Sequence, residues 1–347
     1  MKARVPICRD GKSDPTRLVV YVCDNEYALT RGTRMAIQGL STTQVLLAAR
    51  IGLMLLEIVL IRAMLVRGRY ILKDTLASIG MRAGNYASNV LLAGATVVAF
   101  AFFHEHRWLD ISISSPYAWA ALVVLDDLAY YVFHRVSHEC RFWWAAHVNH
   151  HSSQEYNLST AIRQPWTGVL VGTWAPWFIL ALIGFPPEMI FLQSGINLLY
   201  QFWIHTEAIR RMPAWFEYLF NTPSNHRVHH GANPRYVDRN YAGIFMVWDR
   251  MFGTYAAETD EDPPKYGLIH NIRTYNPLRI AFHEWAAMFR DLRHARSVRE
   301  VVGYVFGPPG WQPDGNGPTA ANVRSAWLRG ARAAGPAAQA DWSADRA

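Results

Sequence analysis

The chain has 347 residues, of which 51% are hydrophobic and 13% aromatic, and a formal net charge of +7 at pH 7. A basic balance is compatible with nucleic-acid binding, but no nucleic-acid-binding motif accompanies it, so contact with anionic lipid is the simpler account. Cys8, Cys23 and Cys140 show no paired spacing, which argues against a disulfide framework.

The first 41 residues form a basic tail with seven Lys or Arg against four Asp or Glu. The tail lacks the successive charged, apolar and cleavage regions of a secretory signal. If residues 42–66 span a membrane, the tail falls outside the cytoplasm, where such a charge is unfavourable. We expect either a re-entrant first segment or a start codon assigned upstream of a natural beginning at Met35.

Five apolar segments predict an all-α integral membrane protein, a helical bundle of four to five spans with a cytoplasmic histidine-rich helical cap. Each segment is close to the roughly 20 residues that cross a bilayer as a helix. Arg50, Glu57 and Arg62 interrupt the first segment and make an isolated span costly. The alternative is a set of buried helices in a soluble core. The segments are residues 42–66, 86–103, 116–133, 167–185 and 189–204.

Loop charges predict the orientation of this bundle. Residues 67–85 carry four Lys or Arg, whereas residues 104–115 carry one Arg. The positive-inside rule then predicts that residues 67–85 are cytoplasmic. The membrane we expect is the inner one. With a tight turn at residues 185–188 joining the last two segments, residues 134–166 and everything after residue 205 lie on the same cytoplasmic side.

Three histidine clusters follow the apolar segments and predict a metal site at the membrane surface. Residues at i and i+4, or at i, i+3 and i+4, share one face of a helix, so each cluster directs its imidazoles to one spot. Eight nitrogens exceed the four that tetrahedral zinc takes and suit a pair of metals that favour imidazole, such as iron. The alternative is a set of interfacial helices holding anionic headgroups. The predicted ligands are His134, His138, His147, His150, His151, His226, His229 and His230.

Local signals place these clusters on helices. The third apolar segment continues without a helix breaker through His138. A second short helix is predicted between a Thr222 cap, with Pro223 at its first position, and a stop at Gly231. His205, which ends the fifth segment one turn after Gln201, is predicted as a ninth ligand.

Asp127 lies two helical turns before His134, at a depth where an unpartnered carboxylate is costly. We expect Asp127, with Tyr131 beside it, to accept a hydrogen bond from a ligand imidazole. The alternative is an ion pair between Asp126 or Asp127 and an interfacial arginine. After residue 306 the chain becomes rich in Gly, Pro and Ala, which predicts a disordered tail over residues 307–347 and a folded domain over residues 42–306.

These residues resemble the fatty acid hydroxylase and sterol desaturase superfamily of membrane enzymes, and more closely its alkylglycerol monooxygenase group. The resemblance implies that the eight histidines bind two iron ions and that His205 occupies a further ligand position. Gln201 stands where some members have a histidine. Residues 155–157, Glu155, Tyr156 and Asn157, match a stretch typical of the closer group and are candidate cofactor-binding residues. The segments that carry the resemblance are DDLAYYVFHRVSHE, WWAAHVNHHSSQEYNLSTAIRQ, LYQFWIHT, NTPSNHRVHHGANPRYVDRNYAG and WDRMFGT.

The predicted function is a lipid monooxygenase that uses dioxygen and an external two-electron donor, since no flavin, haem-attachment or nicotinamide motif occurs. The resemblance implies a tetrahydropterin as that donor. A membrane lipid whose reactive carbon lies near its headgroup is the expected substrate, because the ligands lie at the bilayer edge. A desaturase with the same site is the alternative enzyme. A haem or metal carrier is the alternative outside enzymes, although histidines gathered at one edge disfavour it.

Overall fold

The structure is a computed structural model that describes residues 42–334, so the predictions for the N-terminal tail and for residues 335–347 lie outside the described residues. Between residues 42 and 334 the regular structure is helical, with two isolated β-bridges and no strand. The all-α prediction is confirmed. The helices are α1 (Thr42–Arg62), α2 (Leu72–Glu105), α3 (Pro116–Glu139), α4 (Arg141–His151), α5 (Leu158–Ala161), α6 (Ala175–Ile183), α7 (Pro187–Trp203), α8 (Ala214–Leu219), α9 (Pro223–His229), α10 (Val247–Met251), α11 (Pro277–Leu292), α12 (Val298–Phe306) and α13 (Ala320–Ala334).

The chain divides by its contacts into two units, residues 1–51 and residues 52–347. The described part of the first unit is the opening of α1 alone. The second unit contains the rest of α1, helices α2 to α13 and all the predicted metal ligands.

Two helices of the described chain are long and apolar enough to cross a membrane, namely Gln44–Arg62 of α1 and Leu72–Glu105 of α2. Both are almost entirely exposed, with 6% of the most apolar window buried in each. Large apolar side chains on a soluble surface would be costly, so these helices favour a membrane. The predicted count of four to five spans stays a prediction, because α6 has nine residues and α7 has 17.

The boundaries differ from the predicted spans in two places. Helix α2 begins at Leu72, so much of the region expected as a loop continues the helix that contains residues 86–103. The predicted span 167–185 is broken by Gly172, whose φ of 72° lies in the left-handed region and ends a short 3-10 helix before α6 begins. Apolar composition alone does not register such a break.

The core of the second unit forms where α3 packs against α6 and α7. Phe100 of α2, Leu122 of α3 and Met189 of α7 are fully buried in it. Asp126 is buried in the same region and accepts hydrogen bonds from three neutral donors. The donors are Trp177 Nε1 at 2.7 Å, Ser194 Oγ at 2.6 Å and Asn197 Nδ2 at 3.1 Å. These bonds satisfy the carboxylate without an arginine, so the alternative of an Asp126–arginine ion pair is wrong.

The helices that carry the histidine clusters form as their sequence signals predict. Helix α3 runs unbroken past His138, and Ser115 caps its start. In α9 the Thr222 side chain accepts a hydrogen bond from the backbone N–H of Asn225, Pro223 is the first helical residue, and the helix ends before Gly231. Both predicted placements are confirmed.

Residues 307–334 differ from the disorder expected of their composition. Helix α13 occupies most of the end of this segment, and the ring of Trp311 packs edge-on against Tyr304 with centroids 5.3 Å apart. Gly303 lets the Trp311 ring approach, because a Cβ there would lie 2.3 Å from it. The Arg324 guanidinium also donates to the carbonyl of Val237. The contacts of Trp311 and Arg324 hold this segment against the folded domain despite its Gly- and Pro-rich composition. The domain boundary at residue 306 stays a prediction.

Candidate metal centre

Nine buried histidines come together in two groups, and in each group the ligand atoms all lie within 4.8 Å of one another. All eight predicted cluster histidines and His205 are among them. The first group is His134, His138, His147, His151 and His229, and the second is His150, His205, His226 and His230. Helices α3, α4 and α9 with the end of α7 supply these side chains, so segments distant in sequence converge on one region.

In the second group, hydrogen bonds to carbonyls fix which ring nitrogen carries a hydrogen. His205 Nδ1 lies 2.7 Å from the Gln201 carbonyl and His150 Nδ1 lies 3.2 Å from that of Arg163. A carbonyl oxygen only accepts, so each Nδ1 is the donor and each Nε2 of the neutral ring carries a lone pair. Yet these two Nε2 atoms face each other at 3.2 Å. Two acceptors so close repel each other, and a cation bound between them would satisfy both.

In the first group, two rings are oriented in the same way. His134 Nδ1 donates to the Tyr241 carbonyl at 2.8 Å, and His229 Nδ1 donates to the Arg239 carbonyl at 3.0 Å. Their Nε2 atoms therefore also carry lone pairs, and they lie 3.1 Å from those of His147 and His151 respectively. His138 differs in the type of acceptor, because its Nδ1 donates to a carboxylate oxygen of Asp238 at 3.2 Å.

Burial favours the neutral form of eight of these rings. Burial lowers the pKa of His150 to about 4, and the Arg163 carbonyl only partly offsets that effect. Burial is also the main cause for seven other histidines of the two groups, whose pKa values are lowered well below the usual range, and neighbouring imidazoles lower them further. These are His134, His147, His151, His205, His226, His229 and His230. Neutral imidazole is the form that binds a metal.

The arrangement fits two transition metals. Nitrogens about 2.1 Å from one metal and at right angles are about 3.0 Å apart, and the facing Nε2 atoms are separated by 3.0–3.2 Å. Within the described part of the chain, the buried Nε2 atoms of His138 and His230 have no hydrogen-bond partner. Each would be satisfied by a metal bound in its group.

A strained loop that the sequence reasoning missed holds the first group in place. Asp238 and Asn240 adopt left-handed backbone angles, with φ of 55° and 56°. The segment from Asp238 to Tyr241 thereby supplies a carboxylate and two carbonyls to three imidazoles. The Asn240 amide donates to the carbonyls of Asn225 and Ala256, which fixes the loop. The sequence feature that could have indicated this loop is Asp238 and Asn240 themselves, because Asp and Asn tolerate left-handed backbone angles best among residues other than Gly.

Asp127 does not touch an imidazole, so the prediction that it accepts from a ligand is wrong. It accepts from the backbone N–H groups of Ile244 at 2.6 Å and Phe245 at 3.0 Å, and from Trp248 Nε1 at 3.0 Å. A carboxylate two turns from His134 is thus satisfied by the chain that follows the ligand-holding loop. Tyr131 hydrogen-bonds Thr254 at 2.9 Å instead of accompanying Asp127.

Of residues 155–157, Tyr156 contacts the second group. Glu155 forms an ion pair with Arg69, and the Asn157 side chain caps α5. Tyr156 is fully buried, stacks on His205 with ring centroids 5.8 Å apart and donates to the Ile204 carbonyl at 3.0 Å. These contacts position the site, and the cofactor-binding role stays a prediction.

A second buried network escaped the sequence reasoning. Arg163, whose carbonyl accepts from His150, is 1% exposed and donates to Asp74 of α2 at 2.7 Å. Ser153 donates to the other oxygen of Asp74 at 2.6 Å. The start of α2 is therefore tied to the backbone that orients His150. Asp74 is separated from Ser153 by 79 positions and from Arg163 by 89, and no sequence pattern predicts contacts over such separations.

A comparison with known protein families matches the part of the chain that contains this site. Residues 119–254, which hold all nine histidines, match the fatty acid hydroxylase family. The chain therefore carries a fatty acid hydroxylase domain over these residues, and the resemblance noted in the sequence is confirmed. No solved structure matches the chain.

Among its relatives are alkylglycerol monooxygenases. The human protein is 36% identical over 264 residues, covering 76% of this chain and 58% of the relative. The Xenopus tropicalis protein is 35% identical over 245 residues, covering 70% and 53%, and the Danio rerio protein is 37% identical over 265 residues, covering 76% and 58%. The chain thus spans somewhat more than half the length of these relatives.

Proposed function

We propose that the two histidine groups bind two iron ions and that the protein is a membrane lipid hydroxylase of the monooxygenase type. The observation that carries the proposal is the two groups of buried imidazoles, whose facing Nε2 atoms lie 3.0–3.2 Å apart. Neutral imidazole suits iron among the transition metals. The names of the alkylglycerol monooxygenase relatives support oxygen insertion into a lipid.

When bound, iron would supply the binding and reduction of dioxygen and the oxidation of a C–H bond. The chain's own residues hold the metals and exclude water, because every ligand is buried. The carbonyls of Gln201, Arg163 and Tyr241 keep the ring hydrogens on Nδ1 and so present Nε2 to the metal. Two electrons must come from an external donor, for which a tetrahydropterin is our candidate.

The substrate we propose is a membrane lipid attacked near its headgroup. Helix α1 ends at Arg62 and α2 begins at Leu72, and the loop between them contacts the site region, since Arg69 binds Glu155. The metal groups therefore lie near the same ends of both candidate membrane helices. A carbon close to a headgroup reaches them more easily than a mid-chain carbon. The charge bias of residues 67–85 supports a cytoplasmic site at the inner membrane.

The test uses iron-loaded full-length protein in detergent with dioxygen, candidate lipids and either a tetrahydropterin or a reduced ferredoxin system. We expect about two irons per chain and one oxygen atom inserted near the headgroup, mapped by mass spectrometry with labelled dioxygen. A double bond without inserted oxygen would show a desaturase instead. Protein that carries haem, or iron-free protein with full activity, would end the proposal.

A further inference from the structure

A cleft of about 540 Å³ opens beside the second histidine group, between the loop that follows α1 and the loop that follows α7. We name it the interfacial cleft. Ile61, Leu65 and Val66 form its apolar side, and Arg67, Arg210 and Glu207 give it polar groups. Gly68 shapes it, because its φ of 129° is unfavourable for other residues and a Cβ there would lie 2.8 Å from Ile61.

The interfacial cleft lies where a lipid headgroup would meet the protein. It begins at the end of α1, a candidate membrane helix. At its edge Met64 is 90% exposed and Leu65 is 71% exposed, three and two positions before Arg67. Exposed apolar side chains next to arginines are typical of a surface that dips into the boundary between hydrocarbon and headgroups.

The charges of the cleft favour an anion. Arg210 and Arg211 share one carboxylate, that of Asp260, at 3.0 Å and 3.4 Å, and Arg67 acts on the same carboxylate from a greater distance. Arg210 and Asp260 are 64% and 61% exposed, so their ion pair is weak and easily exchanged. With Glu207 of the cleft counted, three guanidinium groups against two carboxylates leave a net positive charge for a phosphate, which arginine binds through paired N–H groups.

A short aromatic stack separates this cleft from the metal ligands. Glu207 of the cleft follows His205 by two residues and accepts a hydrogen bond from Tyr266 at 3.1 Å. The Tyr266 ring stacks on Tyr156 with centroids 4.8 Å apart, and Tyr156 stacks in turn on His205. The headgroup end of a lipid held here would therefore lie two aromatic rings away from His205.

We propose that the interfacial cleft binds the phosphate-bearing headgroup of the glycerolipid substrate, with Arg67 and Arg210 on the phosphate and Glu207 accepting from a headgroup hydroxyl or ammonium. This inference rests on the proposed function, since it assigns a headgroup class to that substrate. Two charge-assisted contacts are expected to strengthen binding at least tenfold over a neutral headgroup.

The test compares the binding of 1-O-hexadecylglycerol 3-phosphate, 1-O-hexadecylglycerol and inorganic phosphate to iron-loaded full-length protein in detergent. We expect the wild type to bind the phosphate lipid at least tenfold more tightly than the neutral lipid. The double variant Arg67→Gln, Arg210→Gln should bind both alike. Arg299→Gln, an exposed arginine of α12 outside the cleft, should behave as the wild type.

Several outcomes would overturn the inference. They are a wild type without headgroup preference, a double variant that keeps it, and displacement of the lipid by an equal concentration of inorganic phosphate. Oxygen insertion into both lipids is measured in the same preparations to separate the two proposals. Hydroxylation without headgroup preference leaves the proposed function intact and removes the cleft's role. A binding preference without oxygen insertion into either lipid removes the proposed function and the substrate assignment together.

Discussion

At the scale of single residues, the chemistry of the site depends on what lies behind each imidazole. Spacing alone predicted the ligands, because positions on one helical face point the same way. Spacing could not show that His134 donates to the Tyr241 carbonyl, 107 residues away, while His138 donates to the Asp238 carboxylate. These partners come from a left-handed loop, and only the folded chain brings them to the ligands.

Loss of one imidazole from either group should release metal. We expect His229→Ala and His150→Ala to reduce bound iron by at least one ion per chain and activity by more than a hundredfold, because each removes a ligand from a closed set. Iron is measured by elemental analysis and activity by lipid mass spectrometry. His294→Ala is the matched control, since that histidine is exposed and outside both groups. Full iron and activity in both variants would contradict the two-metal site.

The Asp238 carboxylate should strengthen metal binding through His138. In Asp238→Asn the ring loses an anionic partner and becomes a weaker ligand, so metal affinity should fall about 10- to 100-fold. Titration with a metal-buffering chelator measures the change. Asp314→Asn, on an exposed turn of the described chain, is the control and should match the wild type. An unchanged affinity in Asp238→Asn would show that a neutral acceptor suffices.

At the scale of elements, the sequence predicted what local signals determine. The Thr222 cap, the Pro223 start and the unbroken run of α3 are local features, and all three are present. The disorder expected after residue 306 is not found in residues 307–334, because Trp311 packs on Tyr304, seven positions earlier, and Arg324 donates to the Val237 carbonyl, 87 positions away. The single helix expected over residues 167–185 is interrupted at Gly172, because the left-handed backbone there ends a short helix and hydropathy does not reveal such a break.

The cap of α9 offers a test of how one element supports the metals. Thr222→Ala removes the side chain that accepts from Asn225 N–H and should lower stability by about 1 kcal/mol. Because α9 carries three ligands, we also expect faster loss of iron to a chelator. Ser297→Ala removes the equivalent cap of α12, which carries no ligand, so it should cost similar stability without faster iron loss. Equal rates of iron release from both variants would show that the α9 cap has no specific effect on metal retention.

At the scale of the whole molecule, the described part of the second unit connects a membrane-facing surface to a buried polar centre. Helix α2 has 34 residues and is therefore about 50 Å long. Its first turn is tied to the site, because Asp74 accepts from Arg163, whereas just beyond its last turn Trp108 donates to the Leu182 carbonyl at the end of α6. The two ends of α2 are therefore far enough apart to lie on opposite sides of a bilayer.

This length leads to a prediction of sidedness. In a background with Cys8, Cys23 and Cys140 replaced by Ser, a cysteine at Glu261 should be labelled from the same side as one at Arg69, and a cysteine at Ser112 from the opposite side. The reason is that Arg69 contacts the site through Glu155, while Ser112 follows the far end of α2.

The measurement is reaction with a membrane-impermeant maleimide in intact spheroplasts and in inverted vesicles, with all three positions exposed in the described structure. Cytoplasmic orientation requires that Glu261→Cys and Arg69→Cys react only in inverted vesicles and that Ser112→Cys reacts in spheroplasts. The reverse pattern would keep a single-sided site but place it outside the cytoplasm, against the positive-inside rule. Labelling of all three from one side would mean that α2 lies along the membrane, and the spanning role of this helix would be lost.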